Sequence, residues 1–230
     1  MQTIKQIYRS NYSGEDVVTE LVYEGGEWNP TTETVPNSVF NAPTTTQAVA
    51  IANGATRNEF ELKFITLHKG GLFGANKLQS YGCNSLYKEF TPDFLVVVGD
   101  ENVAEIAATT YPDDNIVYVN GEHLVAHSGK FYLIPQNLSY DAGALAAYMA
   151  CFDGHKKVFL LGYDSYTETI EHPTQAFFIK TLAEVVKTYN NVDFVRVMPT
   201  ASYSCDPQLS SFPNFRQISY RDFVLEADIG

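Results

Sequence analysis

The pattern of apolar and polar positions changes character near residue 47. Before that point, residues 4–8 and 17–23 read as two short strands around a turn at Ser13-Gly14. Gly25-Gly26-Glu27-Trp28-Asn29-Pro30 reads as a turn cluster. Residues 31–46 are rich in Thr, Pro and Asn and poor in apolar side chains. Residues 1–46 are therefore expected to form a β-hairpin followed by an extended arm, of the kind that packs on a neighbouring subunit.

From Gln47 onward, short apolar runs alternate with helical patterns. The runs at 48–52, 78–81, 94–98, 116–119, 131–134, 158–161 and 194–197 have the length and near-continuous apolar character of buried strands. A short helix is expected after Asp100. An Ala-rich helix is expected over 142–152, stopped at Asp153-Gly154. The clearest helix covers 173–189, with Pro173 in its first turn and Phe177, Leu182, Val185, Val186 and Tyr189 on one face. Strands of this kind alternating with helices predict an α/β fold: a mostly parallel, Rossmann-like sheet with helices on both faces, spanning 47–230.

The length of 230 residues suits one domain of generous size plus an arm. No apolar run approaches the roughly 20 residues needed to span a bilayer, and the first residues lack the apolar core of a signal peptide. The expected location is cytoplasmic, of a cell or of an infected host. Three widely spaced cysteines, Cys83, Cys151 and Cys205, form no CxxC pair, which argues for buried free thiols over a zinc site or disulfide framework. The net charge of -12 repels nucleic acid. It also repels a nucleotide, so a nucleotide pocket must supply its donors locally.

Ligands of open α/β sheets bind beyond the carboxyl ends of the strands. Three such ends carry polar residues. The first is Asn53-Gly54-Ala55-Thr56-Arg57, where a glycine after a strand allows close backbone approach and free amides can hold phosphate oxygens. It is neither GxGxxG nor a P-loop, and a purely structural turn fits it equally well. The second is Gly82-Cys83-Asn84-Ser85, where Asn84 offers donors and an acceptor to a base or ribose, or else caps a helix. The third is Gly162-Tyr163-Asp164-Ser165-Tyr166 with His172 beyond it. Tyrosine hydroxyls donate to phosphate without adding charge. His172 precedes Pro173 at the N-cap position, where the helix's positive end keeps an imidazole neutral, as a general base requires; a capping histidine is the other reading. His123 and His127 have i, i+4 spacing but no evident third ligand, and read as part of a surface loop.

Taken together and in order, these segments resemble the bacterial sialyltransferases of glycosyltransferase family 42 and the related pterin pyrophosphokinase-like (MptE-like) domains, phage-encoded members included. The resemblance lies in Ile51-Ala52-Asn53-Gly54-Ala55-Thr56 (I-x-N-G-P-S in the family), Cys83-Asn84-Ser85-Leu86-Tyr87 (C-N-x-x-Y) and Phe159-Leu160-Leu161-Gly162-Tyr163-Asp164-Ser165-Tyr166 (Y-L-x-G-x-D-F-Y). Phe90-Thr91-Pro92-Asp93-Phe94 and Lys69-Gly70-Gly71-Leu72-Phe73-Gly74 are similar to the phage members in particular. The resemblance implies that Asn53, Gly54, Thr56 and Asn84 hold the nucleotide of a CMP-type sugar donor. It implies that Tyr163 or Tyr166 contacts the phosphate, and that His172 takes the proton from the acceptor hydroxyl. The chain departs from the family at Ala55-Thr56, which replaces Pro-Ser, and in the five residues between Tyr166 and His172, which replace a longer lid.

Three functions stay open at this point. The first is a glycosyltransferase-like enzyme that binds a nucleotide or nucleotide-sugar and requires no cofactor. The second is a pyrophosphokinase-type enzyme using ATP and Mg²⁺ held by carboxylates such as Asp100 or Asp164. The third is a non-enzymatic phage accessory or structural protein that keeps the fold and forms a homo-oligomer through its arm. None of the three involves nucleic acid or a membrane span.

Overall fold

The computed structural model describes residues 2–9, 15–36, 45–70, 75–127, 129–164 and 173–230. At the N-terminus, strands β1 (Gln2–Arg9), β2 (Glu15–Glu24) and β3 (Glu27–Pro36) form an antiparallel sheet in the order β1-β2-β3. The expected hairpin is present. The turn after it is much tighter than the sequence suggests, because Gly25 and Gly26 alone make it, with φ of +66° and +89°. Positive φ at both central residues is what a two-residue hairpin loop demands. The next ten residues then continue the sheet as β3, where a turn cluster and an arm were expected. The β-branched Thr31, Thr32, Thr34 and Val35 suit that strand. The later part of the expected arm, residues 37–44, lies outside the described residues.

The rest of the chain forms an eight-stranded parallel sheet. Its strands are β4 (Gln47–Ile51), β5 (Gln79–Cys83), β6 (Phe94–Val96), β7 (Val117–Val119), β8 (Tyr132–Leu133), β9 (Lys157–Leu161), β10 (Asp193–Met198) and β11 (Phe215–Ser219). Their order is β11-β10-β9-β4-β5-β6-β7-β8, and each neighbouring pair is parallel. The chain builds outward from β4 to the edge at β8. It then returns to the centre, lays β9 beside β4, and builds outward again to β11. Among the described residues, five helices of six residues or more accompany it: α1 (Asp100–Ala107), α2 (Gly121–Ala126), α3 (Ala142–Phe152), α4 (Pro173–Thr188) and α5 (Tyr220–Glu226). The sequence shows every strand of the large sheet except β11. That strand is half-buried, with polar Arg216, Gln217 and Ser219 beside buried Phe215 and Ile218, so it lacks the continuous apolar run of its neighbours.

Period-two alternation along the central strands feeds two separate cores. Ala48 and Ala50 of β4 join Tyr81, Val158 and Leu160 beneath α3 and α4. Val49 and Ile51 point the other way, to Leu95, Phe159, Val197 and Phe223 of α5. Helix α3 carries the return crossover, and residues 142–151 are all buried. A helix apolar all round belongs in an interior, and its alanines let it sit close to the sheet. Asp141 caps it, accepting from Gly143 N at 3.0 Å and Ala144 N at 3.3 Å.

The amino ends of the strands hold a buried polar cluster. Tyr81 donates to Asp153 Oδ2 at 2.7 Å and lies 3.2 Å from His155 Nε2, which also meets Gln79 Oε1. Burial lowers the His155 pKa to about 4. This cluster stands at the end of the sheet opposite to the one where such folds bind ligands.

Candidate functional site

The topological switch point falls between β4 and β9, whose following chains run to opposite sides of the sheet. The loops leaving these two strands are laced together. Ala52 N donates to Leu161 O and Gly54 N to Gly162 O, each at 2.9 Å. Thr56 Oγ1 donates to Asp164 Oδ1 at 2.7 Å, and Thr56 N donates to Asp164 Oδ2 at 3.4 Å. A Cβ on Gly54 would overlap both Asp164 Oδ1 and the Gly162 carbonyl oxygen. The neighbouring loop thus requires a glycine at this position. The Gly54 and Thr56 amides, expected to be open to phosphate, are spent within the protein.

Two expected ligand residues take packing roles for the same reason. Thr56 is 5% exposed, with its hydroxyl on Asp164 and its carbonyl accepting from the Tyr220 hydroxyl. Tyr163 is fully buried and donates to the Gly143 carbonyl at 2.7 Å, tying the β9 loop to the start of α3. Burial raises its pKa well above that of an ordinary phenol. The bulky ring on an apolar strand end goes to the core, because its hydroxyl finds an acceptor there. Tyr166 and His172 lie outside the described residues.

What the fold does bring together is a cavity of about 440 Å³ beyond the carboxyl ends of β4, β5 and β6. Asn53 and Gly54 form one wall, Asn84 another, and Gly99 and Asn102 a third. Gly162, the first turn of α3, and Phe177 and Phe178 of α4 complete it. The expected pairing of Asn53 and Gly54 with Asn84 is therefore present in one cleft. Asn102, in the first turn of the helix expected after Asp100, is a cavity residue that is absent from the residues singled out in the sequence. Its place four residues after Val98, at the end of the most apolar strand run, is the signal for it.

Each asparagine is held by specific bonds. Asn53 Oδ1 accepts from Arg57 Nη1 at 2.7 Å, and its Nδ2 donates to Cys83 Sγ at 3.6 Å. Asn84 adopts φ +46°, a left-handed conformation that asparagine tolerates, and its Oδ1 accepts from Val98 N at 3.0 Å. Asn102 Nδ2 donates to Val98 O at 2.8 Å. Asp141 shares the cavity, its Oδ2 taking a hydrogen bond from Thr181 at 2.5 Å.

The cleft carries little positive charge. Among the described residues that line it there is no Lys, Arg or His. The nearby Arg57 is buried, donating to Ala52 O and Asn53 Oδ1 and pairing with Glu89 at 3.2 Å. Cys83 lines the cleft as a neutral thiol, its pKa pushed up to about 12 first by burial and then by the Asp141 charge.

The carboxylates suggested for Mg²⁺ are not gathered here. Asp164 is held by Thr56, while the Asp100 side chain is almost wholly exposed, 3.7 Å from His123 Nε2. Among the described residues no group of three His, Cys, Asp or Glu is placed to hold a metal ion. His123 is buried on α2, and His127 packs edge-on to Phe131, so this pair is not the surface loop the sequence suggests.

Fold and cleft together define a doubly wound, Rossmann-like α/β protein with an asparagine-lined cavity at its switch-point end. Comparison of the chain with protein-family models, with curated proteins and with solved structures finds no match. Among the described residues no helix is long and apolar enough to cross a membrane.

Proposed function

We propose that the cleft binds a nucleotide or nucleotide-sugar and that the chain is a glycosyltransferase-like protein. The observation that carries this reading is the convergence of Asn53, Asn84 and Asn102 on one 440 Å³ cavity beyond the carboxyl ends of the central strands. Neutral amide groups beside an apolar wall suit a nucleoside, and this end of the sheet is where such folds take nucleotides. The reaction implied by the resemblance, sugar transfer from a CMP-type donor with His172 as general base, belongs to this proposal.

Thermal-shift titration of the full chain with CMP, CDP, UDP and GDP tests it. Stabilisation by at least one at millimolar concentration is expected, and none by any of them removes the reading. Release of CMP from a CMP-sugar, lost in His172→Ala, is the further expectation for an active transferase.

A second reading is favoured by the roles of Thr56 and Tyr163, whose hydroxyls serve packing. In it the chain is a non-enzymatic accessory protein that keeps the cleft for binding alone. Nucleotide-dependent stabilisation without CMP release supports this reading over the first.

A further inference from the structure

We propose that Asn84 and Asn102 form a fixed donor–acceptor pair that reads the edge of a nucleobase, so that the base end of the ligand lies next to Val98. This rests on the nucleotide-binding reading above and adds which end of the ligand goes where.

The two ends of a carboxamide are alike in shape, but Val98 settles which is which. A backbone N–H can only donate, so the Asn84 atom 3.0 Å from Val98 N is its oxygen. A backbone carbonyl can only accept, so the Asn102 atom 2.8 Å from Val98 O is its nitrogen. Each asparagine keeps its other half. Asn84 retains an NH₂ with two protons, and Asn102 retains a carbonyl oxygen. Neither remaining atom has a hydrogen-bond partner among the described residues, and both residues line the cavity. Because one residue anchors both, little side-chain freedom is lost when a ligand binds.

The complement of this pair is an acceptor beside a donor. Every nucleobase carries such an edge, as a ring nitrogen next to an amino group or a carbonyl next to a ring N–H. A phosphate offers acceptors only and would turn a lone pair toward the Asn102 oxygen. The cleft also places the Asp141 carboxylate, and no cation among its described residues, around the ligand. Phe177, 46% exposed, and Phe178 supply aromatic surface in the same cavity, which suits a flat ring.

Calorimetric titration of the full chain with CMP, UMP, AMP and GMP, their nucleosides, and ribose 5-phosphate tests the inference. One nucleoside should bind within about tenfold of its monophosphate, and ribose 5-phosphate should not bind at millimolar concentration. Asn84→Asp keeps the acceptor for Val98 N and tolerates positive φ, but replaces the ligand-facing donors with a carboxylate oxygen. It should weaken nucleoside binding by about tenfold or more with an unchanged melting temperature. Ribose 5-phosphate binding as well as the best monophosphate, or a folded Asn84→Asp that binds like the parent, overturns the inference while leaving the nucleotide reading in place. If that variant does not fold, the comparison of nucleoside with ribose 5-phosphate decides on the parent protein alone. Failure of all four nucleotides removes the nucleotide reading itself, and this inference with it.

Discussion

Thr56 Oγ1 and Asp164 Oδ1 lie 2.7 Å apart, joining the two loops that flank the switch point. Around this bond the β4 loop and the β9 loop behave as one wall, because Gly54 N also reaches the Gly162 carbonyl and Arg57 reaches back to Ala52. The Gly54 and Thr56 amides are spent on this lacing, and the side chains of Asn53, Asn84 and Asn102 are among the polar groups that line the cavity.

Gly54→Ala should be strongly destabilising. Its Cβ would overlap Asp164 Oδ1 and the Gly162 carbonyl oxygen, one of them main chain that cannot rotate away. Overpacking of this kind costs about 3 kcal/mol. Adding Asp164→Ala removes only the side-chain clash, so the double variant should recover part of the loss and never all of it. Urea denaturation of the single and double variants checks this. Full recovery would show that the Gly162 carbonyl is no obstacle.

The fold was legible in the sequence because the parallel sheet announces itself. Runs such as Val158-Phe159-Leu160-Leu161 are apolar on both faces and admit few other readings. The cleft was half legible. Asn53, Gly54 and Asn84 stand at strand ends, and position alone carries them to the cavity. Thr56 and Tyr163 stand at strand ends too, yet they serve packing. Their direction depends on partners distant in sequence, Asp164 for one and the Gly143 carbonyl for the other. No local pattern reports such partners. Strand β3 was hidden by Pro30 and Pro36 and its few apolar residues, and β11 by Arg216, Gln217 and Ser219, which leave it only two apolar positions.

Acid should weaken the protein through His155. Its folded pKa, about 4, lies below the ordinary value of 6.5, and burial is the main cause. The unfolded chain therefore binds the extra proton first. The contribution is fully present above about pH 6.5 and is lost as pH falls toward 4, with a limit of about 3 kcal/mol. Urea melts between pH 4.5 and 7 measure the slope. His155→Gln should flatten it; an unchanged slope would assign the acid sensitivity to other groups.

The three thiols should differ sharply in reactivity. Cys83 and Cys151 are buried with pKa values raised by burial, whereas Cys205 is partly exposed. The thiolate is the reactive form, and a pKa of about 12 leaves about one part in ten thousand ionised at pH 8. A chromogenic disulfide reagent at pH 8 should therefore titrate one thiol in the native chain and three in denaturant. Cys205→Ser should abolish the native signal. Rapid native labelling of a second thiol in Cys151→Ser would mean that the cleft opens as far as Cys83.

Arg196 makes the strongest case for a residue that acts on the cleft without touching it. It is fully buried in the middle of β10. Its Nε and Nη2 donate to the Tyr163 carbonyl at 3.0 and 2.8 Å, and its Nη1 donates to Ser204 O at 2.6 Å and Gln217 Oε1 at 2.8 Å. One planar fork thus gathers the segments that follow β9 and β10 together with β11. A lysine ammonium has no such fork and cannot reproduce the geometry. Arg196→Lys and Arg196→Met should each cost about 3 kcal/mol, since both leave buried carbonyls without their donors. They should also loosen the Gly162–Asp164 loop and, through Thr56, the opposite wall at Gly54. Hydrogen exchange at the Gly54 and Thr56 amides should then speed up by more than the global loss of stability accounts for. Exchange that tracks global stability alone would confine Arg196 to holding the edge of the sheet.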